Sequence, residues 1–156
     1  MPGRKGFSLI EIVVLIVVLA VAVPPSSLMI DDVTRTRADN VSAVRATALA
    51  TGVLEQILAD VYGGDPQLGF DALADVNVYL QTPTTGLVDR MLSMTSLYVT
   101  YGIGYSVQIS DLIDSSGVVS GNPSDNVFRR VTVKVTYQSL HGGTVEIPIG
   151  VMVTEL

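Results

Sequence analysis

This 156-residue chain is predicted to adopt an α+β fold: a long N-terminal helix, half membrane-type and half amphipathic, packed on a small antiparallel sheet of three or more strands. Three observations predict it. The run Ile12 to Val23 is unbroken and apolar. From Asp31 to Tyr62 apolar residues recur at spacings of three, four and six, as on one face of a helix. Beyond residue 97 three stretches alternate apolar and polar residues with a period of two, the pattern of strands with one buried face.

The N-terminal element carries the sharpest signal. Arg4 and Lys5 precede Gly6, Phe7 opens the hydrophobic segment, and between Phe7 and Pro24 Glu11 is the only charged side chain. A carboxylate in a membrane-type helix costs about 2.5–3.5 kcal/mol at the helix centre and marks a functional position. An ordinary secretory signal would be cut after its apolar core, where Ala20-x-Ala22 is the one candidate, and would leave Glu11 without a purpose. A plain membrane anchor leaves it equally unexplained. Phe7 to Val23 alone is at the short end for a spanning helix, whereas continuing to Ile30 gives 24 residues, enough to span with some tilt. Pro24-Pro25 predicts a break or kink near residues 24–27.

Gly6, Phe7, Glu11 and the apolar run together resemble the class III signal of type IV pilins and type II secretion pseudopilins. The resemblance implies cleavage between Gly6 and Phe7 by a prepilin peptidase, with methylation of the new amino terminus to N-methylphenylalanine. It divides the chain into a leader (1–6), a transmembrane and filament-core helix (7–30) and an exported head (31–156). Removing six residues from 156 leaves 150, with Glu11 fifth in the mature chain, where the family keeps its glutamate. The implied partners are other pilin or pseudopilin subunits, the peptidase and an inner-membrane assembly platform. The implied location is the inner membrane, single-pass, with the body exported to the periplasm or cell surface and then carried in a filament.

The chemistry of that register stands on its own. Cleavage creates an α-amino group, which ordinarily titrates at about 7.7–8.0. Pairing it with Glu11, in the same chain or a neighbour, relieves the desolvation of both charges. Buried pairs of this kind set axial register between helices.

In the body, Val41, Val44, Ala48, Leu54, Leu58 and Val61 form the expected apolar stripe, Asp31 and Asp32 sit near a helix start, and Gly63-Gly64 is a stop signal. Residues 63–83 read as a connection rich in Gly, Asp and Pro. Thr84-Thr85 ahead of Leu87-Val88 and Met91-Leu92 predicts a short capped helix, with Met91 and Met94 filling core. The three strands are expected at 97–109, 127–137 and 145–153. The last two form a hairpin across Gln138 to Gly143, and Pro148 belongs on an edge strand or at a bulge. The stretch from Asp125 to Tyr137 with the final strand resembles the C-terminal half of minor pilins and minor pseudopilins.

Composition narrows the chemistry. Loss of Arg4 and Lys5 takes the formal net charge from −6 to −8, so an acidic head with seven basic side chains is a poor general nucleic-acid binder. There is no cysteine, unlike the many pilins that close a C-terminal loop with a disulfide. The basic leader predicts a cytoplasmic N-terminus. His141, the only histidine, lacks the company a zinc site or catalytic triad needs. Asp111, Asp114, Ser115, Ser116, Asn122, Ser124, Asp125 and Asn126 offer oxygen ligands suited to calcium but no EF-hand spacing, and read as a solvated loop. No cofactor, metal or enzymatic activity is expected. Two functions follow: a structural subunit, of the minor class, in a type IV pilus-like filament or type II secretion pseudopilus; or a tip pilin whose head binds DNA, a surface or a secretion substrate.

Overall fold

A computed structural model describes residues 8–65 and 68–155. Its spine is α1, Leu9–Tyr62, a single helix of 54 residues. After a 3-10 turn at Phe70–Ala74 come α2 (Val76–Gln81) and α3 (Leu87–Val99), then β1 (Gly104–Ile109), β2 (Phe128–Gln138) and β3 (Thr144–Thr154). The three strands form one antiparallel sheet in the order β1-β2-β3. The α+β architecture expected from the sequence is the one observed.

The sheet covers the C-terminal half of α1. In β2, Val131, Val133 and Val135 are fully buried, and the register sets Val107 and Ile149 on either side of Val133, all on the face toward the helix. The opposite face carries Thr132, Lys134 and Thr136, with Lys134 paired to Glu146 of β3 at 3.0 Å. From the helix, Ala46, Leu49, Ala50, Val53 and Ile57 complete the core. Burying each larger side chain contributes about 1.5–3 kcal/mol, while the alanines let helix and sheet approach closely.

This stripe differs from the expected one. Val41 and Val44 remain 50% and 71% exposed. One residue advances a helix by about 100°, so Val44 projects nearly opposite Ala46. The expected spacing traced the neighbouring face, and only Val61 belongs to both. Leu54 and Leu58 flank the core, partly buried.

Three further expectations are corrected. Of the break or kink expected at Pro24-Pro25, a break is excluded: α1 runs on as one helix, where Ser26 and Ser27 donate their hydroxyls to the carbonyls of Ala22 and Val23 at 2.9 and 3.1 Å. The first strand starts at Gly104 rather than residue 97, because Leu97 to Val99 complete α3, whose buried positions Leu87, Met91 and Thr95 recur every four residues. Thr84-Thr85 does not cap α3. The cap is Gly86, where a Cβ would lie 2.6 Å from the Leu80 carbonyl oxygen, and Thr84 instead donates its N–H to Asp89 at 2.8 Å. The 63–83 connection also gains structure: Asp75 caps α2 by accepting from the N–H groups of Asn77 and Val78, each at 3.1 Å. Pro148 lies in β3, an edge strand, where its missing donor leaves no interior ladder incomplete.

The head has its own core and therefore its own stability. A fragment beginning at Asp31 should be soluble and unfold cooperatively, with mixed α and β signals in circular dichroism. An unfolded or purely helical fragment would contradict the sheet.

Candidate functional site

α1 starts with a reciprocal cap. Ser8 has extended backbone (φ −73, ψ 147) and its hydroxyl accepts the Ile10 N–H at 3.3 Å, while Glu11 accepts the Ser8 N–H at 2.8 Å. Glu11 is thus oriented toward the start of the helix, where a carboxylate also meets the positive end of the helix dipole. Around and beyond it Ile10, Ile12, Val14, Leu15 and Val18 are exposed. Gly6 and Phe7, the predicted cleavage and methylation positions, lie outside the described residues.

From Leu9 to Ile30 nothing in the head covers the helix, and every side chain is exposed. The segment is long and apolar enough to cross a membrane. Its apolar surface, which no soluble monomer of this size would leave bare, needs lipid or other helices around it. Among the described residues Glu11 is the only charge in that surface.

The chain thus places a long apolar N-terminal helix on a small antiparallel sheet, an architecture compatible with a pilin-like fold. Neither a family model, nor a curated protein, nor a solved structure matches the chain. The family resemblance accordingly rests on Gly6, Phe7, Glu11 and the apolar helix.

Two polar sites in the head were not singled out from the sequence. The first is buried. Asp60 of α1, 5% exposed, accepts two hydrogen bonds from the guanidinium of Arg90 in α3, at 2.7 and 2.6 Å. It also accepts from the Tyr79 hydroxyl of α2 at 2.6 Å and from Gln56 Nε2 at 3.0 Å. Burial pushes the Asp60 carboxyl up, but the bonds from Arg90, Tyr79 and Gln56 outweigh it and hold the group below its ordinary range. Burial, reinforced by the Asp60 charge, pushes the Tyr79 phenol well up. The bidentate pair and the phenol join α1, α2 and α3, so this site holds the helical layer together. Its signal in the sequence was a carboxylate three residues after Ile57, on the true buried stripe.

The second site is the β2–β3 turn, which sits against α1 just above the exposed segment. Asp39 accepts the Ser139 hydroxyl at 2.5 Å and the Leu140 N–H at 2.8 Å, and these bonds hold its carboxyl below the ordinary range. Arg35 reaches the Leu140 carbonyl at 3.5 Å, and His141 lies 3.4 Å from the Thr36 hydroxyl and 3.9 Å from Asp32. The lone histidine is therefore part of a helix–turn contact.

In the oxygen-rich loop, Asp114 accepts the N–H and hydroxyl of Ser116 and the N–H of Val118, while Asp125 is bonded by Ser120 and Asn122. These bonds are internal to the loop. Among the described residues no three His, Cys, Asp or Glu side chains are grouped as metal ligands.

Proposed function

We propose that this chain is a structural subunit, of the minor class, in a type IV pilus-like filament or type II secretion pseudopilus. It is cleaved after Gly6 by prepilin peptidase, methylated on Phe7 and drawn from the inner membrane into a helical filament. The observation that carries the reading is Glu11: one carboxylate near the start of an apolar helix that projects bare from a folded head, four residues after a Gly-Phe junction. In the membrane lipid covers the helix; in the filament the helices of other subunits do. The charge of Glu11 gains a cationic partner when cleavage exposes an amino terminus. The role is one of assembly rather than catalysis, and its partners are like subunits, the peptidase and an inner-membrane platform.

Intact-mass analysis of the protein from its native host tests the processing. The expected species begins at Phe7, lacks residues 1–6 and carries one added methyl group. Gly6 replaced by a bulky residue should remain uncut, because a side chain there crowds the peptidase cleft. A mature terminus at Val23 would identify an ordinary secretory signal and eliminate the filament reading.

A further inference from the structure

We infer that the β2–β3 turn, Ser139 to Gly143, is a foot by which the head rests on the bilayer surface, with Leu140 in the interfacial layer of the membrane that α1 crosses. The inference rests on the membrane part of the proposed function.

The height of the turn follows from the helix. From Ile12 to Ile30 no charged residue occurs, and Asp31 is the first. Leu9 to Ile30 rises about 33 Å at 1.5 Å per residue, which matches a hydrocarbon core of about 30 Å. Asp32 then lies about 3 Å and Arg35 about 7.5 Å beyond Ile30 along the axis. Headgroups occupy roughly the next 5–7 Å on each side of the core. Asp39, about 13.5 Å beyond Ile30, holds Ser139 and the Leu140 N–H at the upper side of the turn. The Leu140 carbonyl lies 3.5 Å from Arg35 and His141 lies 3.9 Å from Asp32, so the tip of the turn reaches down toward headgroup level. Among the described residues, every hydrogen bond or ion pair between positions 32–39 of α1 and the head comes from this turn.

The turn is also built for a poorly hydrated place. An amide without a partner is costly where water is scarce. Here four successive N–H groups are satisfied within the protein: Ser139 to the Gly143 carbonyl at 3.0 Å, Leu140 to Asp39 at 2.8 Å, His141 to the Ser139 hydroxyl at 3.1 Å, and Gly142 to the Ser139 carbonyl at 3.1 Å. Gly142 and Gly143, at φ +95 and +90, supply the left-handed backbone that closes so tight a turn. With its backbone paired, the turn presents Leu140, 55% exposed, as its apolar side chain. The charges nearby are mixed: Asp31, Asp32 and Asp39 against Arg35 and Arg37. The partner is therefore the apolar margin of a zwitterionic bilayer rather than an anionic headgroup.

The protein has no tryptophan, so one introduced indole is an unambiguous probe. Full-length Leu140→Trp, Val119→Trp and Leu19→Trp variants would each be reconstituted in phosphatidylcholine vesicles whose lipids are brominated near the acyl carbonyl or near the chain end. Val119 lies in the loop before β2, whose far end is roughly 34 Å from the turn for an 11-residue strand. Leu19 lies within the apolar segment. The indole at position 140 should emit at shorter wavelength than the one at 119 and be quenched more by shallow than by deep bromines. The indole at 119 should be quenched by neither, and that at 19 most by deep bromines. Adding Asp39→Ala to Leu140→Trp removes the acceptor of two of the turn's bonds and should abolish most of the shallow quenching. If position 19 is quenched and position 140 is not, the foot is refuted while the membrane reading stands. If position 19 escapes quenching, the membrane reading itself fails. Blue-shifted emission at 140 without quenching would place protein, such as a second copy, where the inference places lipid, and would overturn it.

Discussion

Replacing Arg90 by leucine should destabilise the head by about 3–5 kcal/mol, the usual cost of leaving one member of a buried ion pair uncompensated. Arg90 provides two of the four hydrogen bonds on Asp60, and nothing else in the described structure neutralises that carboxylate. The Tyr79 hydroxyl and Gln56 amide would remain, but as neutral donors they leave the charge in place. Urea unfolding of the head at neutral pH measures the loss. Asp60→Asn combined with Arg90→Leu should recover a large part of it, because an amide costs far less to bury than a carboxylate. A loss below about 1 kcal/mol for Arg90→Leu would show that the pair behaves like an exposed one.

The same site sets an acid limit. The Asp60 carboxyl is held below 3.8, the value of an unperturbed group. Its contribution is therefore complete above the unfolded pKa and fades as pH falls through the lower folded value. Relative to its own neutral-pH stability, the intact head should accordingly lose more on acidification than the Asp60→Asn/Arg90→Leu variant, which lacks the titrating carboxylate.

How much of this was legible in the sequence depends on how long each pattern runs. The apolar half of α1 was plain, because Ile12 to Val23 leaves no alternative period. β2 and β3 were found within one residue at either end, since each alternates through eleven residues and one buried face fixes register. Leu97-x-Val99-x-Tyr101 also alternates, yet the first two of these residues end α3 and Tyr101 lies in the turn beyond it. Three apolar residues at spacing two are too few to outweigh Leu87, Met91 and Thr95 at spacing four. On α1 the expected stripe through Val41, Val44 and Ala48 missed the buried face, which carries Ala46 and Ala50 beside Leu49, Val53 and Ile57. Close approach to the sheet selected Ala46 and Ala50 instead. The Asp60–Arg90–Tyr79 cluster joins residues up to 30 positions apart, and only the helix packing brings them together. The docking of the β2–β3 turn spans 100 positions or more and was equally out of reach.

Glu11→Ala should abolish most recruitment into filaments while leaving insertion and cleavage intact. The apolar run and the Gly6–Phe7 junction are unchanged by it, and the Ser8 hydroxyl still accepts the Ile10 N–H at the helix start. What disappears is the carboxylate that accepts the Ser8 N–H at 2.8 Å and that alone can neutralise a cleaved amino terminus in this segment. The amino terminus of Phe7 would then enter a filament core unpaired, and losing one partner of a buried pair costs about 3–5 kcal/mol. Per subunit, that is a drop of more than a hundredfold in an association constant, since each 1.4 kcal/mol is about tenfold. Glu11→Gln separates charge from capping. The amide oxygen can still accept from Ser8 and complete the box, so assembly should fail nearly as badly as with alanine if charge pairing governs, and should survive if the cap alone matters. Cysteine cross-linking between neighbouring apolar helices reads the result directly, because the native chain has no cysteine to compete. Cross-links at the native level for Glu11→Ala would refute the pairing for a subunit within the filament shaft. They would favour the tip pilin instead, which has no earlier neighbour whose amino terminus it must meet.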